Sequence, residues 1–215
     1  MNKMMWTLVP LTAAILAGCA VRGGGADHDK LAAAVTQASF QDKNGVKVER
    51  LKQDDLMAAC SAADVAGKPV DEKTAKAIEA AALKTIQWPA DGKFLGDWKE
   101  GEKIAQSGRG MTWSDDAKVV NGGNCYNCHQ IDKKEISYGT IGPSLWNYGK
   151  LRGVTDPNAE AAKAIVEYTW GKIWNPHAYN ACSLMPRAGH NGVLNPQQIQ
   201  HVMALLLDPK SPVNQ

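Results

Sequence analysis

Cys125-Tyr126-Asn127-Cys128-His129 is the stretch that decides the fold of this 215-residue chain. Its C-x-x-C-H spacing lets two thiols each add to one vinyl group of a porphyrin, while the next imidazole binds the iron. A thioredoxin-like dithiol is expected between a strand and a helix, but Asn121-Gly122-Gly123-Asn124 precedes this pair. A zinc site needs a second ligand pair at short spacing, and the later histidines form none. The motif predicts one covalently bound haem, with its thioethers at Cys125 and Cys128 and His129 as an axial iron ligand.

The stretch after the motif contains Gly142-Pro143, 14 residues beyond His129 when counted to the proline. A rigidly held proline carbonyl can accept the Nδ1–H of an iron-bound histidine, which fixes the tautomer and strengthens the ligand. We expect Pro143 to accept this hydrogen bond. The alternative is a plain turn, because Gly-Pro pairs mark turns generally.

The second axial position of the iron has six candidates, apart from an open site. They are Met111, Met185, Met203, His177, His190 and His201. Met203 falls on the apolar stripe of the last predicted helix and is better explained as core, whereas His201 faces away from it and is expected in solvent. Met185 precedes Pro186, which restricts it to extended conformations and so fixes the direction of its side chain. We predict Met185 as the ligand, with His177 or His190 as alternatives. His/Met ligation raises the potential and fills both axial positions, which favours electron transfer over haem-centred catalysis.

The N-terminal residues have the pattern of an export signal. Lys3 precedes a mostly apolar stretch from Trp6 to Leu16, which is too short to span a bilayer. Leu16-Ala17-Gly18-Cys19 resembles the lipobox of bacterial lipoproteins, and Gly23-Gly24-Gly25 is typical of a flexible tether. This predicts a signal peptide over 1–18, lipidation of Cys19 and a periplasmic, lipid-anchored protein. The alternative is an ordinary secretory peptide that is cut slightly later, so that Cys19 is lost.

The rest of the composition is that of a globular chain, with 44% hydrophobic and 21% charged residues. A net charge of +2, without a basic run interleaved with aromatic residues, argues against nucleic-acid binding. Two cysteines remain, Cys60 and Cys182, and in an oxidising compartment they most simply form a disulfide. They could instead pair between molecules or stay free.

Helical periodicity organises the remaining chain into an Ala-rich extension over 19–90 and a haem domain over 91–215. The extension has no cluster of catalytic side chains, so we expect it to pack or to contact a partner. No stretch alternates as a strand would, and the predicted class is all-α. Four predicted helices carry this prediction. The first has an apolar face of Ala75, Ile78, Ala82, Leu83 and Ile86, and the second follows Gly96-Asp97. The third begins at Asp156-Pro157 and has Ala161, Ala164, Ile165 and Tyr168 inward.

The last predicted helix has the clearest start. Asn195 is its cap, Pro196 occupies the first position and Gln198 completes a capping box, while Ile199, Val202, Met203 and Leu206 face inward. Trp146, Trp170, Ile173 and Leu184 either surround the haem or form ordinary core.

The order of helix, C-x-x-C-H, Gly-Pro, Met-Pro and terminal helix resembles the class I cytochrome c fold. More narrowly, the chain resembles the SoxX family, the small haem subunits of the SoxAX cytochromes of bacterial sulfur oxidation. Four stretches carry the resemblance: 123–130, 139–145, 180–187 and the tail 206–214. The segment from Gly96 to Trp113 resembles the longer members of that family.

The resemblance implies a specific role. SoxX pairs with SoxA, whose cysteine-ligated haem and active-site cysteine carry the chemistry. The complex joins thiosulfate oxidatively to a cysteine of the SoxYZ carrier, and SoxX, with His129 and Met185 as axial ligands, passes the electrons to another cytochrome. This chain itself would contribute no catalytic residue. The alternative is a stand-alone periplasmic electron carrier, and an enzyme with an open haem is disfavoured by Met185.

Overall fold

The computed structural model describes residues 27–43, 45–112, 114–116, 118–135 and 138–215. Over these ranges the regular elements are all helical, and β geometry is confined to one isolated bridge between Lys43 and Val46. The all-α prediction is confirmed. The predicted signal peptide, Cys19 and the glycine tether lie outside the described residues.

The chain divides into two compact units, one ending at Gln41 and one spanning Asp42–Gln215. The described part of the first unit holds helix α1 (His28–Ser39), which begins where the Asp27 carboxylate accepts the Lys30 N–H. The predicted boundary between extension and haem domain near residue 91 stays a prediction.

In its described residues, the second unit contains six α-helices joined by turns and loops. They are α2 (Asp55–Val65), α3 (Glu72–Leu83), α4 (Trp98–Gln106), α5 (Tyr148–Leu151), α6 (Lys163–Trp174) and α7 (Pro196–Leu207). Short 3₁₀ helices cover Val48–Leu51, Cys125–Asn127, Glu160–Ala162, Pro176–Ala178 and Pro212–Asn214. Asp54, Asp71 and Asp97 cap α2, α3 and α4, because each carboxylate accepts a backbone N–H of the first turn.

Helices α4 and α7 pack closely against each other, because Gly101 lets the two backbones approach. A Cβ at Gly101 would collide with the His201 carbonyl oxygen. The His201 side chain, expected in solvent, is half-buried, and its Nδ1 accepts the Asp97 N–H at 2.9 Å. The predicted capping box of α7, formed by Asn195 and Gln198, is present, and its predicted apolar face is buried.

Helix α6 differs from the prediction in start and in register. It begins at Lys163 rather than at Asp156, whose carboxylate instead accepts the Asn158 N–H in a turn. Its buried side includes Val166, Thr169, Trp170 and Ile173. Of the four residues expected inward, Ile165 is half-buried against the main core, and Ala161, Ala164 and Tyr168 are exposed. The register is fixed by indole N–H groups that bond to the carbonyls after α3, which no local pattern reveals.

The extension contributes to the main core. Trp170 Nε1 donates to the Gln87 carbonyl at 2.9 Å, and Trp174 Nε1 donates to the Thr85 carbonyl at 3.0 Å. Ile86 is buried in the same cluster as both tryptophans. The chain that leaves α3 is therefore built into the second unit rather than lying on its surface.

Candidate haem site

The first three residues of the C-x-x-C-H motif form a 3₁₀ turn, which backbone hydrogen bonds hold beside the C-terminal end of α4. The Cys128 and His129 N–H groups both donate to the Cys125 carbonyl, at 3.1 and 2.9 Å. Asn124 enters the turn in a left-handed conformation, with φ of 50°, and its N–H donates to the Ser107 carbonyl at 2.9 Å. These bonds fix the two thiols and the imidazole relative to α4.

His129 is oriented by the loop that carries Pro143. Its Nδ1 lies 2.7 Å from the Pro143 carbonyl oxygen. Because that oxygen can only accept, Nδ1 carries the proton and Nε2 keeps its lone pair for a metal. The loop is tied to the motif by the Gly142 N–H, which donates to the Cys128 carbonyl at 2.8 Å.

The Cys125 thiol lies in apolar surroundings, packed against a buried cluster of Ala105, Ile131, Leu205 and Val213. Burial raises the pKa of this thiol to about 11. A catalytic dithiol needs a lowered pKa at its nucleophilic cysteine, so the redox-pair alternative is disfavoured. Cys125 and Cys128 are not bonded to each other, and the apolar setting fits thioether attachment of a porphyrin.

The zinc alternative finds no support in the geometry. Within the parts of the chain that the structure describes, no three His, Cys, Asp or Glu side chains converge as a metal site. The arrangement instead offers one imidazole nitrogen for the iron and two neighbouring thiols for the vinyl groups of the porphyrin. These are the groups that covalent attachment of haem requires.

Met185 lies between α6 and α7, half-buried against the main core. Its N–H donates to Ser183 Oγ at 3.3 Å. The flexible, polarisable thioether of such a residue is a ligand for haem iron. Its assignment as the second axial ligand stays a prediction.

The other candidates for this position are placed as follows. Met203 is fully buried in the core on α7. His177 is buried, and its Nδ1 is 2.6 Å from the Ala181 carbonyl. Burial and the neighbouring Arg187 cation lower the pKa of His190. Met111 has a left-handed backbone, with φ of 59°.

The four apolar residues considered for the haem surroundings divide into two groups. Trp170 and Ile173 are buried in the main core, where the ordinary-core alternative explains them. Trp146 is half-buried, and Leu184 is 89% exposed.

Sequence analysis predicted one of the contacts that hold the Met185 segment and missed another. Arg187 Nη1 donates to Asp54 Oδ2 at 2.6 Å. Cys60 and Cys182 are joined by a disulfide, with their Cα atoms 5.6 Å apart. Only the two cysteines could be paired in advance, because they were the leftover thiols.

Comparisons with known proteins agree with this geometry. A family model described as Cytochrome c matches residues 114–209, which include the motif, Met185 and α7. A protein of Aquifex aeolicus (strain VF5), described as an uncharacterized lipoprotein, is 34% identical over 196 residues. The aligned region covers 86% of this chain and 85% of that protein. A half-buried thiol pair, an imidazole whose Nδ1 is bonded to a proline carbonyl and the family match together show that residues 114–209 form a cytochrome c domain, which makes this chain an electron-transfer protein with covalently bound haem.

Proposed function

We propose that this cytochrome is the electron-accepting haem subunit of a SoxAX-type complex, which conjugates thiosulfate to a cysteine of a SoxYZ-type carrier. The proposal is supported by the sequence resemblance in 123–130, 139–145 and 180–187. The observation that carries it is the fixed His129, whose Nδ1 is bonded to Pro143 in the second of these stretches. The catalytic cysteine is assigned to the SoxA-type partner, because the two thiols of the motif are committed to haem.

The chain's own residues prepare a site for one-electron exchange. Pro143 keeps the proton on Nδ1 of His129, so Nε2 is always available as a strong ligand. Cys125 and Cys128 fix the prosthetic group covalently, and Met185 supplies a thioether that favours the reduced state. The haem that Cys125, Cys128 and His129 would hold would supply one-electron redox chemistry, so the two electrons released per conjugation would leave for a downstream cytochrome in two steps.

Met185→Ala tests the axial assignment. The ferric protein should lose the weak near-red absorption band that sulfur-to-iron ligation produces, and its midpoint potential should fall because the thioether is gone. Met203→Leu is the matched control, since Met203 is buried in the core on α7 and should leave the band unchanged. A band that survives in Met185→Ala would move the ligand elsewhere.

Co-purification tests the role in a complex. The tagged protein, isolated from its native cells, should bring with it a second and larger haem polypeptide. The mixture of both with a SoxYZ-type carrier and thiosulfate should reduce the haem of this chain. Isolation as a lone monomer would contradict the proposal and favour a stand-alone electron carrier.

We also propose that Cys19 carries a lipid on the periplasmic side of a membrane. The proposal is supported by the sequence Leu16-Ala17-Gly18-Cys19 and by the Aquifex relative, which is described as a lipoprotein. Among the described residues, no helix has both the length and the apolar character needed to cross a bilayer. Cys19→Ser should move the protein from the membrane fraction to the soluble fraction, and unchanged fractionation would contradict the anchor.

A further inference from the structure

Two links join the beginning of α2 to the segment on both sides of Met185. Three residues before Met185, Cys182 is bonded to Cys60 in the second turn of α2. Two residues after Met185, the Arg187 guanidinium donates to the carboxylate of Asp54 at 2.6 Å. We call these two links, Cys60–Cys182 and Asp54–Arg187, the α2 clasp.

The ion pair of the clasp is held in a fixed geometry. Asp54 Oδ1 accepts the Met57 N–H at 2.8 Å and so caps α2, which leaves Oδ2 aimed at Arg187. The Arg187 side chain is only 13% exposed, against 46% for Asp54. This pair is stronger than an ordinary surface ion pair for two reasons. The guanidinium is sheltered from water, and the carboxylate is already anchored at a helix end.

The segment is also held just before the disulfide. The Ala181 N–H donates to the Glu79 carboxylate of α3 at 3.3 Å, and the Ala181 carbonyl lies 2.6 Å from His177 Nδ1. Both backbone groups of the residue before Cys182 are thus engaged. The backbone just before Cys182 is therefore already held in place where the segment with Met185 begins.

Between these anchors the chain has little structure of its own. Residues 180–192 form turns and bends without a helix, and Leu184 is 89% exposed. A segment with few buried apolar contacts opens at low free-energy cost unless other elements restrain it. Met185 packs only partly against the main core, and the clasp adds restraint from the extension on both sides of it.

We propose that the α2 clasp positions Met185 for the haem iron and sets how readily this ligand can be displaced. Asp54, Cys60, Cys182 and Arg187 are positioning residues, because they act through the backbone on either side of Met185. The inference rests on the proposed function, in which Met185 is the axial ligand. It assigns to the extension a role in tuning electron transfer.

Binding of imidazole to the ferric holoprotein measures this restraint. Imidazole binds iron only when Met185 has left it, so its apparent dissociation constant falls as the open fraction rises. Asp54→Asn keeps a good helix cap but removes the charge that holds Arg187. It should bind imidazole about fivefold more tightly than the wild type, and the double variant Cys60→Ala/Cys182→Ala about tenfold more tightly.

Asp71→Asn is the matched control. Asp71 caps α3 through the Thr74 N–H at 3.0 Å, as Asp54 caps α2. The same substitution there should leave imidazole affinity within about twofold of the wild type. A similar gain in affinity from Asp71→Asn would mean that general loosening, and not the clasp, controls the ligand.

Met185→Ala, studied in parallel, distinguishes a wrong ligand assignment from a wrong clasp proposal. If its near-red band persists, the ligand assignment is wrong and the clasp proposal falls with it. If that band is lost while Asp54→Asn and the double variant bind imidazole with wild-type affinity, the clasp alone is overturned and Met185 remains the ligand. Tighter binding in both clasp variants, with the control unchanged, supports the proposal.

Discussion

Gly142 decides how closely the loop that carries Pro143 can approach His129. A Cβ at this position would occupy the space of the imidazole ring, where the nearest atoms are Cε1, Nδ1 and Nε2 of His129. The constraint is steric, because Gly142 is not among the glycines with positive φ. A side chain here must displace either the ring or the proline carbonyl that orients it.

We therefore expect Gly142→Ala to destabilise the holoprotein by about 1–3 kcal/mol, the usual cost of overpacking a tight contact. Guanidinium unfolding followed through the haem absorbance measures the change. Gly108→Ala is the control, because the three atoms nearest to its Cβ would all belong to the side-chain amide of the exposed residue Asn124, at 3.1 to 3.4 Å. It should change stability by less than about 1 kcal/mol. Equal losses in both variants would contradict a special role for Gly142.

At the residue scale, the sequence was informative where chemistry depends on short spacing. The motif predicted covalent haem, and the cytochrome c match agrees. Gly142-Pro143 predicted a carbonyl partner for His129 Nδ1, which lies 2.7 Å from the Pro143 oxygen, but it could not show that the glycine lies against the ring. Asp54 and Arg187 are 133 residues apart, and nothing local in either position indicates the other.

At the element scale, α3 and the residues after it tie the extension to the main core. Ile86 is 6% exposed and packs among Trp170, Trp174 and their neighbours, whereas Leu83 on the last turn of α3 is 48% exposed. Helical spacing placed both residues on one apolar face. The helix ends between them, and the change in backbone direction separates their side chains.

Ile86→Ala should lower the free energy of unfolding by about 2–4 kcal/mol, because it leaves a cavity in the core. Leu83→Ala, only three positions away, should cost less than about 1 kcal/mol. Denaturant titration measures both losses of stability, and the dependence of the free energy of unfolding on denaturant concentration should be the same as in the wild type. If the two variants lost the same stability, the extension would not be part of the core as the structure has it.

A helix could be predicted correctly where residues close to it in the sequence specify its boundaries. Helix α7 was predicted with its cap because Asn195, Pro196 and Gln198 specify the start locally. Helix α6 was predicted in the wrong register, since its buried side is chosen by hydrogen bonds from Trp170 and Trp174 to chain some 85 residues earlier. Sequence analysis detects caps and periodicity, but it does not detect hydrogen-bond partners that are distant in the chain.

At the scale of the whole molecule, two carboxyl groups give stability opposite dependences on pH. Partial burial raises the pKa of Asp54, but hydrogen bonds from the Met57 N–H and Arg187 outweigh it and lower the pKa below the ordinary 3.8. Burial raises the pKa of Glu135 above the ordinary 4.5, although the Ile131 N–H opposes this. Asp54 therefore contributes stability that is present above the unfolded pKa and lost as pH falls through the folded pKa. Glu135 contributes stability that is present below 4.5 and lost as pH rises through its raised folded pKa.

Two variants separate these contributions. Asp54→Asn should lower stability at pH 7 and flatten the loss of stability below about pH 4, because no charged pair remains to be broken by acid. Glu135→Gln keeps an acceptor for the Ile131 N–H, which in the wild type donates to Oε2 at 3.0 Å, but removes the partly buried charge. It should raise stability at pH 7 and abolish the gain that acidification toward pH 4.5 gives the wild type. Denaturant unfolding of the holoprotein between about pH 7 and pH 3 measures both profiles, and the effects of acid on the haem itself cancel when variants are compared with the wild type. A Glu135→Gln protein that is less stable than the wild type at pH 7 would contradict the assignment of a burial cost to this carboxylate.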